Sequence, residues 1–242
     1  TDQISNISLQ GPNSRKILEK FIFTSPTQPS ISELQWFRFS ICRIEDLNGI
    51  PLIISRTGYT GELGYEIWCS PSDAPKVWDK VFEAGKDDDI GPGTPNYIER
   101  LESGLISFGA DTDAKTNPLE LGMDRFVDLD QKNDFVGKDA LIHIKRNGIE
   151  RKFMGFFLDG PRLNIPNEHR LRLIQAGNEV GYISACGYSP RFGKNIGVGM
   201  VSLEALKSRD QIGMQAPETM RNVELVSLPF DWGGQITSRQ AL

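Results

Sequence analysis

The densest unusual segment of the 242-residue sequence is the glycine-rich stretch at residues 58–66. Three glycines in seven residues relax the steric limits on the backbone, so the chain can pass close to a flat or bulky group. Glu66 follows on a predicted strand, where its carboxylate could accept paired N–H bonds from an aminopyrimidine-type ring while Tyr59 covers the ring face. A glycine-rich hairpin with a solvated glutamate is the competing interpretation, and the residues by themselves favour it. The segment lacks the lysine and the following helix of a phosphate loop.

A second polar segment enters a predicted helix over residues 95 to about 106. Asn96 falls in its first turn, where it would face a ligand at that end of the helix. Arg100 and Glu102 are predicted to be surface charges or ion-pair partners. Gly104 inside a helix costs about 1 kcal/mol relative to Ala, so we expect it to mark a close packing contact.

The following loop carries Phe108 and the carboxylates Asp111, Asp113 and Glu120. Their spacing matches no metal-ligand pattern, and we expect solvated loop charges. His143 is predicted on a helix surface. With only two histidines in the chain, a histidine-rich metal centre or a Ser-His-Asp triad is not expected.

Charge and composition narrow the function classes further. The chain carries 27 basic and 32 acidic residues, a net charge of −5, which argues against a nucleic-acid partner. No apolar run approaches the roughly 20 residues of a membrane helix, so no membrane role is expected. The three cysteines are far apart, which indicates reduced, buried thiols and a cytoplasmic location rather than disulfides or a zinc site.

Periodicity predicts the elements that must position these residues. Residues 1–9 alternate like a strand, with Ile7 and Leu9 on one face. Asn48-Gly49 predicts a hairpin with a two-residue turn. Further strands are predicted over 36–44, 50–54 and 65–69, and helices over 15–21 and 74–84. Beyond residue 148, strands predicted over 153–158, 171–174, 180–184, 196–201 and 223–228 are typical of a small antiparallel barrel or sandwich.

Several motifs together resemble the folate-dependent glycine cleavage T-protein (aminomethyltransferase) family. RTGYTGELGYE at 56–66 looks like the family signature. The co-linear matches are LQGP at 9–12, RLESGL at 100–105, NPLE at 117–120, DFVGK at 134–138, YSP at 188–190 and LPF at 228–230. The segment at 91–105 resembles the dimethylsulfoniopropionate demethylase branch more than the glycine-cleavage branch, whereas the glycine-rich loop is closer to the glycine-cleavage type.

The resemblance implies an α+β fold of T-protein type with a C-terminal antiparallel β-barrel. We expect a partial α+β folate-binding region at 1–147, the barrel domain at 148–230 and a tail at 231–242. The chain opens inside a predicted strand, so we expect the N-terminal part of the family fold to be absent. The family's catalytic acid lies upstream of LQGP, and no residue here is assigned as catalytic.

By resemblance, the cofactor is tetrahydrofolate, with no metal. Glu66 would hydrogen-bond the polar edge of the pterin, and Tyr59 would line the folate cleft. Asn96 stands where glycine-cleavage proteins have a folate-contacting arginine, and Phe108 where many members have tyrosine.

Three functions follow as hypotheses. The first is a tetrahydrofolate-dependent transferase that demethylates a small, dimethylsulfoniopropionate-like donor and forms 5-methyltetrahydrofolate. The second is an aminomethyltransferase of glycine cleavage, whose partner is a lipoyl-carrier protein. The third is a folate-binding module without catalysis.

Overall fold

The computed structural model describes residues 2–93, 97–216 and 219–230, which divide into two compact units. The described residues up to 93 form the first unit, and those from 97 to 230 form the second. Residues 97–147, which the sequence predicts to belong to the first region, group with the barrel instead. None of the described helices is long and apolar enough to span a membrane.

The first unit is built on an antiparallel sheet of five strands. These are β1 (Ser5–Gln10), β2 (Ile22–Thr24), β3 (Phe39–Ile44), β4 (Pro51–Ser55) and β5 (Gly64–Cys69). Their spatial order is β1-β5-β4-β3-β2, so β5 lies between β1 and β4. The two-residue period of a strand sends alternate side chains to opposite faces, which separates a buried face from an outer one.

Two helices cover the buried face of this sheet. They are α1 (Ser14–Glu19) and α2 (Ala74–Gly85), close to the predicted spans. Ile17 of α1 and Val77 and Val81 of α2 join one core with Ile54 and Ile67 of the sheet. The helices pack here because an amphipathic helix buries its apolar stripe against the apolar face of the sheet. This packing confirms the predicted α+β architecture.

The turn between β3 and β4 differs from the prediction. The two strands pair as a hairpin, but residues 45–50 connect them, so the predicted two-residue turn at Asn48-Gly49 is wrong. Glu45 takes a positive φ of 63°. A Cβ on Gly49 would lie 1.7 Å from the carbonyl oxygen of Ile44, so close backbone approach requires the glycine.

The second unit contains a closed antiparallel barrel, as predicted. Its strands are β6 (Arg151–Leu158), β7 (Leu171–Gln175), β8 (Asn178–Ser189), β9 (Lys194–Ser202), β10 (Ile212–Gln215) and β11 (Met220–Val226), in the order β10-β11-β6-β9-β8-β7. The four-residue β10 was not predicted. Ala176 and Gly177, with φ of 49° and 83°, make the tight turn between β7 and β8.

Two helices precede the barrel, α3 (Tyr97–Glu102) and α4 (Lys138–Asn147). His143 is exposed on α4, as predicted. The prediction that α3 continues to about residue 106 is wrong. Gly104, at φ 65°, ends the helix, and the N–H of Leu105 donates to the carbonyl oxygen of Arg100 at 2.9 Å. A left-handed glycine with this hydrogen bond is a Schellman-type helix end.

Buried charges attach α3 to the barrel. Asp111 is fully buried. Its Oδ2 accepts hydrogen bonds from Arg100 Nη1 at 2.9 Å and Ser107 N at 2.7 Å, and its Oδ1 accepts one from Ser184 Oγ at 2.6 Å. Glu102, also buried, accepts a hydrogen bond from Ser189 Oγ at 2.5 Å. The ion-pair alternative for Arg100 is confirmed.

Two of the three loop carboxylates are not solvated as expected. Besides Asp111, Glu120 is buried and pairs with Arg151 Nε at 2.8 Å. That hydrogen bond raises the pKa of the Arg151 guanidinium. Asp113 is exposed as predicted, and a hydrogen bond from the Lys115 backbone N–H lowers its pKa.

All three cysteines are free and buried, as the sequence predicted. Burial in apolar surroundings disfavours the thiolate, and it raises the pKa of Cys42 to about 12 and that of Cys186 to about 11. Such thiols are inert packing residues rather than nucleophiles.

We expect Asp111→Ala to lower the free energy of unfolding by about 3–5 kcal/mol, because it leaves the buried Arg100 guanidinium without its carboxylate. Asp113→Ala is the matched control two residues away; its exposed carboxylate should contribute about 1 kcal/mol or less. Urea denaturation followed by circular dichroism measures both. Equal losses for the two variants would contradict the assigned role of the buried pair.

Candidate functional site

Glu66 lies on the outer face of β5, opposite the buried Tyr65 and Ile67. Its Oε1 accepts a hydrogen bond from Asn6 Nδ2 at 3.1 Å, and its Oε2 accepts one from Thr57 Oγ1. β1 supplies the asparagine because it pairs with β5 and presents its alternate residues on the same face. The carboxylate is therefore held from two sides.

The hydrogen bonds leave acceptor capacity on this carboxylate. Its two oxygens offer about four acceptor positions, and the two donors Asn6 and Thr57 occupy two of them. Glu66 is half-buried, so a ligand can reach the remaining positions. Two adjacent N–H donors on the edge of a planar heterocycle match this acceptor set.

Apolar side chains continue the outer face next to Glu66. We call Phe39, Ile41, Ile53 and Trp68 the apolar shelf. Ile41, Ile53 and Trp68 are register partners across β3, β4 and β5, strands about 4.8 Å apart. Phe39 is 59% exposed, Ile41 54% and Ile53 40%. An accessible apolar surface beside an anchored carboxylate suits a flat ring that carries polar groups on one edge.

The glycine-rich loop has a structural role that its sequence did not reveal. Gln10 Nε2 donates to the carbonyl oxygens of Thr57 at 3.2 Å and Tyr65 at 3.3 Å. A Cβ on Gly58 or Gly64 would lie 2.1 Å or 1.8 Å from Gln10 Oε1. The bulky group that the backbone approaches at these two glycines is therefore a side chain of the same unit.

The structure locates three of the four predicted site residues. Glu66 and Tyr59 belong to the first unit, where Tyr59 is 42% exposed. Phe108 belongs to the second unit and is 81% exposed in the loop that contains Asp111. Asn96 lies outside the described residues. Each of the four ligand contacts stays a prediction.

The hydrogen-bond partners of Glu66, Asn6 and Thr57, were not predicted from the sequence. Nor were Ser55, which bonds Thr57, and Trp68, which bonds Ser55. Alternation along β1 and β5 placed Asn6 and Glu66 each on one side of its own strand, but only strand pairing brings the two sides together. Within the described residues, no group of three or more His, Cys, Asp or Glu side chains could hold a metal ion.

Family comparison identifies two domains of one family along the chain. The GCVT N-terminal domain model matches residues 1–131, and the glycine cleavage T-protein C-terminal barrel domain model matches residues 151–231. The chain is similar to the trimethylamine-oxide aldolase of Ruegeria pomeroyi, at 41% identity over 84% of this chain and 26% of the relative. It is also similar to the aminomethyltransferase of Halothermothrix orenii, at 36% identity over 95% of this chain and 62% of the relative.

A solved structure has the same fold. The glycine cleavage system aminomethyltransferase T from Bartonella henselae superposes with a TM-score of 0.73 at 22% identity, over 95% of this chain and 60% of that one. The chain thus spans about three-fifths of the aminomethyltransferases that it matches. The two domain models follow each other along the chain in the same order as the two structural units, and the aminomethyltransferase relatives match nearly the whole chain. This chain therefore belongs to the glycine cleavage T-protein family.

Proposed function

We propose that this chain is the tetrahydrofolate-binding part of a folate-dependent one-carbon transferase. The observation that carries the proposal is the Glu66 carboxylate, anchored by Asn6 and Thr57 beside the apolar shelf. The carboxylate would accept N–H bonds from the aminopyrimidine edge of the pterin, and the shelf would take up a face of the ring. Membership of the T-protein family supports the assignment of the ligand.

The chemistry requires mainly orientation. Tetrahydrofolate supplies a nitrogen that accepts the one-carbon unit. The residues of this chain would bind the pterin at Glu66, line its cleft with Tyr59 and keep the ring in one orientation. Holding donor and acceptor in line can contribute about 7–11 kcal/mol to lowering the barrier. Asn96 and Phe108 stay in the proposal as contacts, and no catalytic acid or base is assigned.

For the donor, we propose a small methylated molecule, so that the reaction is a demethylation. Residues 91–105 resemble the dimethylsulfoniopropionate demethylase branch. A relative with 41% identity carries the name of an enzyme of trimethylamine oxide, which is likewise a small methylated compound.

An aminomethyltransferase is the second candidate. Its support is the aminomethyltransferases at 32–36% identity, which match 95–96% of this chain. In that case the donor would be the aminomethyl group on a lipoyl-carrier protein.

We expect Glu66→Ala to weaken tetrahydrofolate binding at least about tenfold, because the pterin edge loses its acceptors. The melting temperature should stay within a few degrees, since Asn6 and Thr57 can exchange Glu66 for water at this accessible site. Isothermal titration calorimetry measures the first quantity and scanning calorimetry the second.

Glu83→Ala removes the same charge from an exposed position on α2 and should leave binding unchanged. If Glu66→Ala binds tetrahydrofolate as tightly as the parent, the pterin contact of Glu66 is disproved.

We expect the whole transferase of which this chain would be the folate-binding part, given tetrahydrofolate and small methylated sulfonium or amine compounds, to form 5-methyltetrahydrofolate. Chromatography of the folate products identifies the one-carbon unit. If a product forms only when the donor is an aminomethyl-loaded lipoyl carrier, and the product is methylene-tetrahydrofolate, the result would favour the aminomethyltransferase. Saturable folate binding without either product would favour the module without catalysis.

A further inference from the structure

Four side chains on the outer face of the first unit form a continuous series of hydrogen bonds that ends at Glu66. Trp68 Nε1 donates to Ser55 Oγ at 3.2 Å. Ser55 Oγ lies 2.7 Å from Thr57 Oγ1, and Thr57 Oγ1 donates to Glu66 Oε2. Strand register explains why they meet, because Ser55 of β4 is the direct partner of Glu66 on β5.

The chemistry of the two ends fixes the direction of every bond. An indole N–H only donates, and a carboxylate only accepts. Thr57 has one hydroxyl proton, which it donates to Glu66, so its oxygen must accept the proton of Ser55. Ser55 in turn accepts from Trp68. All donors therefore point toward the carboxylate, an arrangement in which successive hydrogen bonds polarise and strengthen one another.

We infer that Trp68, Ser55 and Thr57 are positioning residues, which hold the Glu66 carboxylate in the orientation that the pterin edge requires. The inference rests on the proposed function of Glu66. Asn6 holds the other oxygen, so the carboxylate cannot rotate without losing a bond on each side. Such supporting contacts fix the geometry of a binding group before the ligand arrives.

Trp68 also connects the hydrogen-bond series to the apolar shelf. Its ring is part of the apolar shelf and its N–H is the first donor of the series. A ligand that contacts the shelf and Glu66 therefore acts on both ends of one network. Tetrahydrofolate should quench the fluorescence of Trp68, whereas Trp78, on α2, should not respond.

A mutant cycle tests the positioning role in the full chain. We expect Thr57→Val to weaken tetrahydrofolate binding about fivefold, because Glu66 loses a donor while the side-chain volume is kept. Thr57→Ser, which restores the hydroxyl, should stay within about twofold of the parent. Ser70→Ala removes an exposed hydroxyl just beyond β5 and is the matched control.

The coupling to Glu66 separates positioning from a direct contact with the ligand. In a Glu66→Ala background, Thr57→Val should cause no further loss, since its effect passes through the carboxylate. Losses that add in the double variant overturn the positioning role. If the parent and Thr57→Val bind tetrahydrofolate equally tightly, the positioning role is disproved and the proposed function stands. If the parent fails to bind tetrahydrofolate, both fall.

A measurement without folate tests the network by itself. The indole N–H resonance of Trp68 in ¹⁵N-labelled protein should shift in Glu66→Ala and Thr57→Val and should stay unchanged in Glu83→Ala. An indole resonance that ignores both of the first two substitutions, with the fold intact by circular dichroism, contradicts the hydrogen-bond series.

Discussion

The alternation of side chains along β5 is the constraint on which the first unit depends. Tyr65 and Ile67 point into the core and Glu66 and Trp68 point away from it, all within one interior strand of the sheet. A slip of one residue in register would bury the carboxylate and expose the core, so the packing that stabilises the sheet also fixes the candidate site. One face of β5 therefore stabilises the core, and the other carries the candidate site.

The polar side chains around Glu66 on the outer face of the sheet are there because they hydrogen-bond to its carboxylate or to one another. The hydroxyls of Ser55 and Thr57, the amide of Asn6 and the indole of Trp68 belong to one hydrogen-bond network around the Glu66 carboxylate. Gln10 holds the loop of Thr57 by a hydrogen bond to its backbone. Gly58 and Gly64 leave the space that the side chain of Gln10 occupies. An adaptable loop could not hold a donor at a fixed place, whereas a loop tied to two strands can.

The second unit uses charge differently. Asp111 and Glu102 are buried and fully engaged with Arg100, Ser184 and Ser189, which attaches a six-residue helix to the barrel. A helix this short has little intrinsic stability, so tertiary contacts must hold it. These two carboxylates stabilise the second unit, whereas Glu66 is an anchored carboxylate beside an accessible apolar surface.

The sequence by itself predicted the α+β unit and the antiparallel strands of the second unit, because hydrophobic period is a local property of the chain. The co-linear motifs indicated the family, and with it the barrel and the prediction that Glu66 contacts the pterin. The sequence did not determine the burial of Arg100, the end of α3 at Gly104, the six-residue β3–β4 connection or the partners of Glu66. Asn6 and Glu66 are 60 residues apart, and Ser184 and Asp111 are 73 apart. Strand pairing and packing bring such residues together, and both depend on the whole core rather than on any neighbourhood in the sequence.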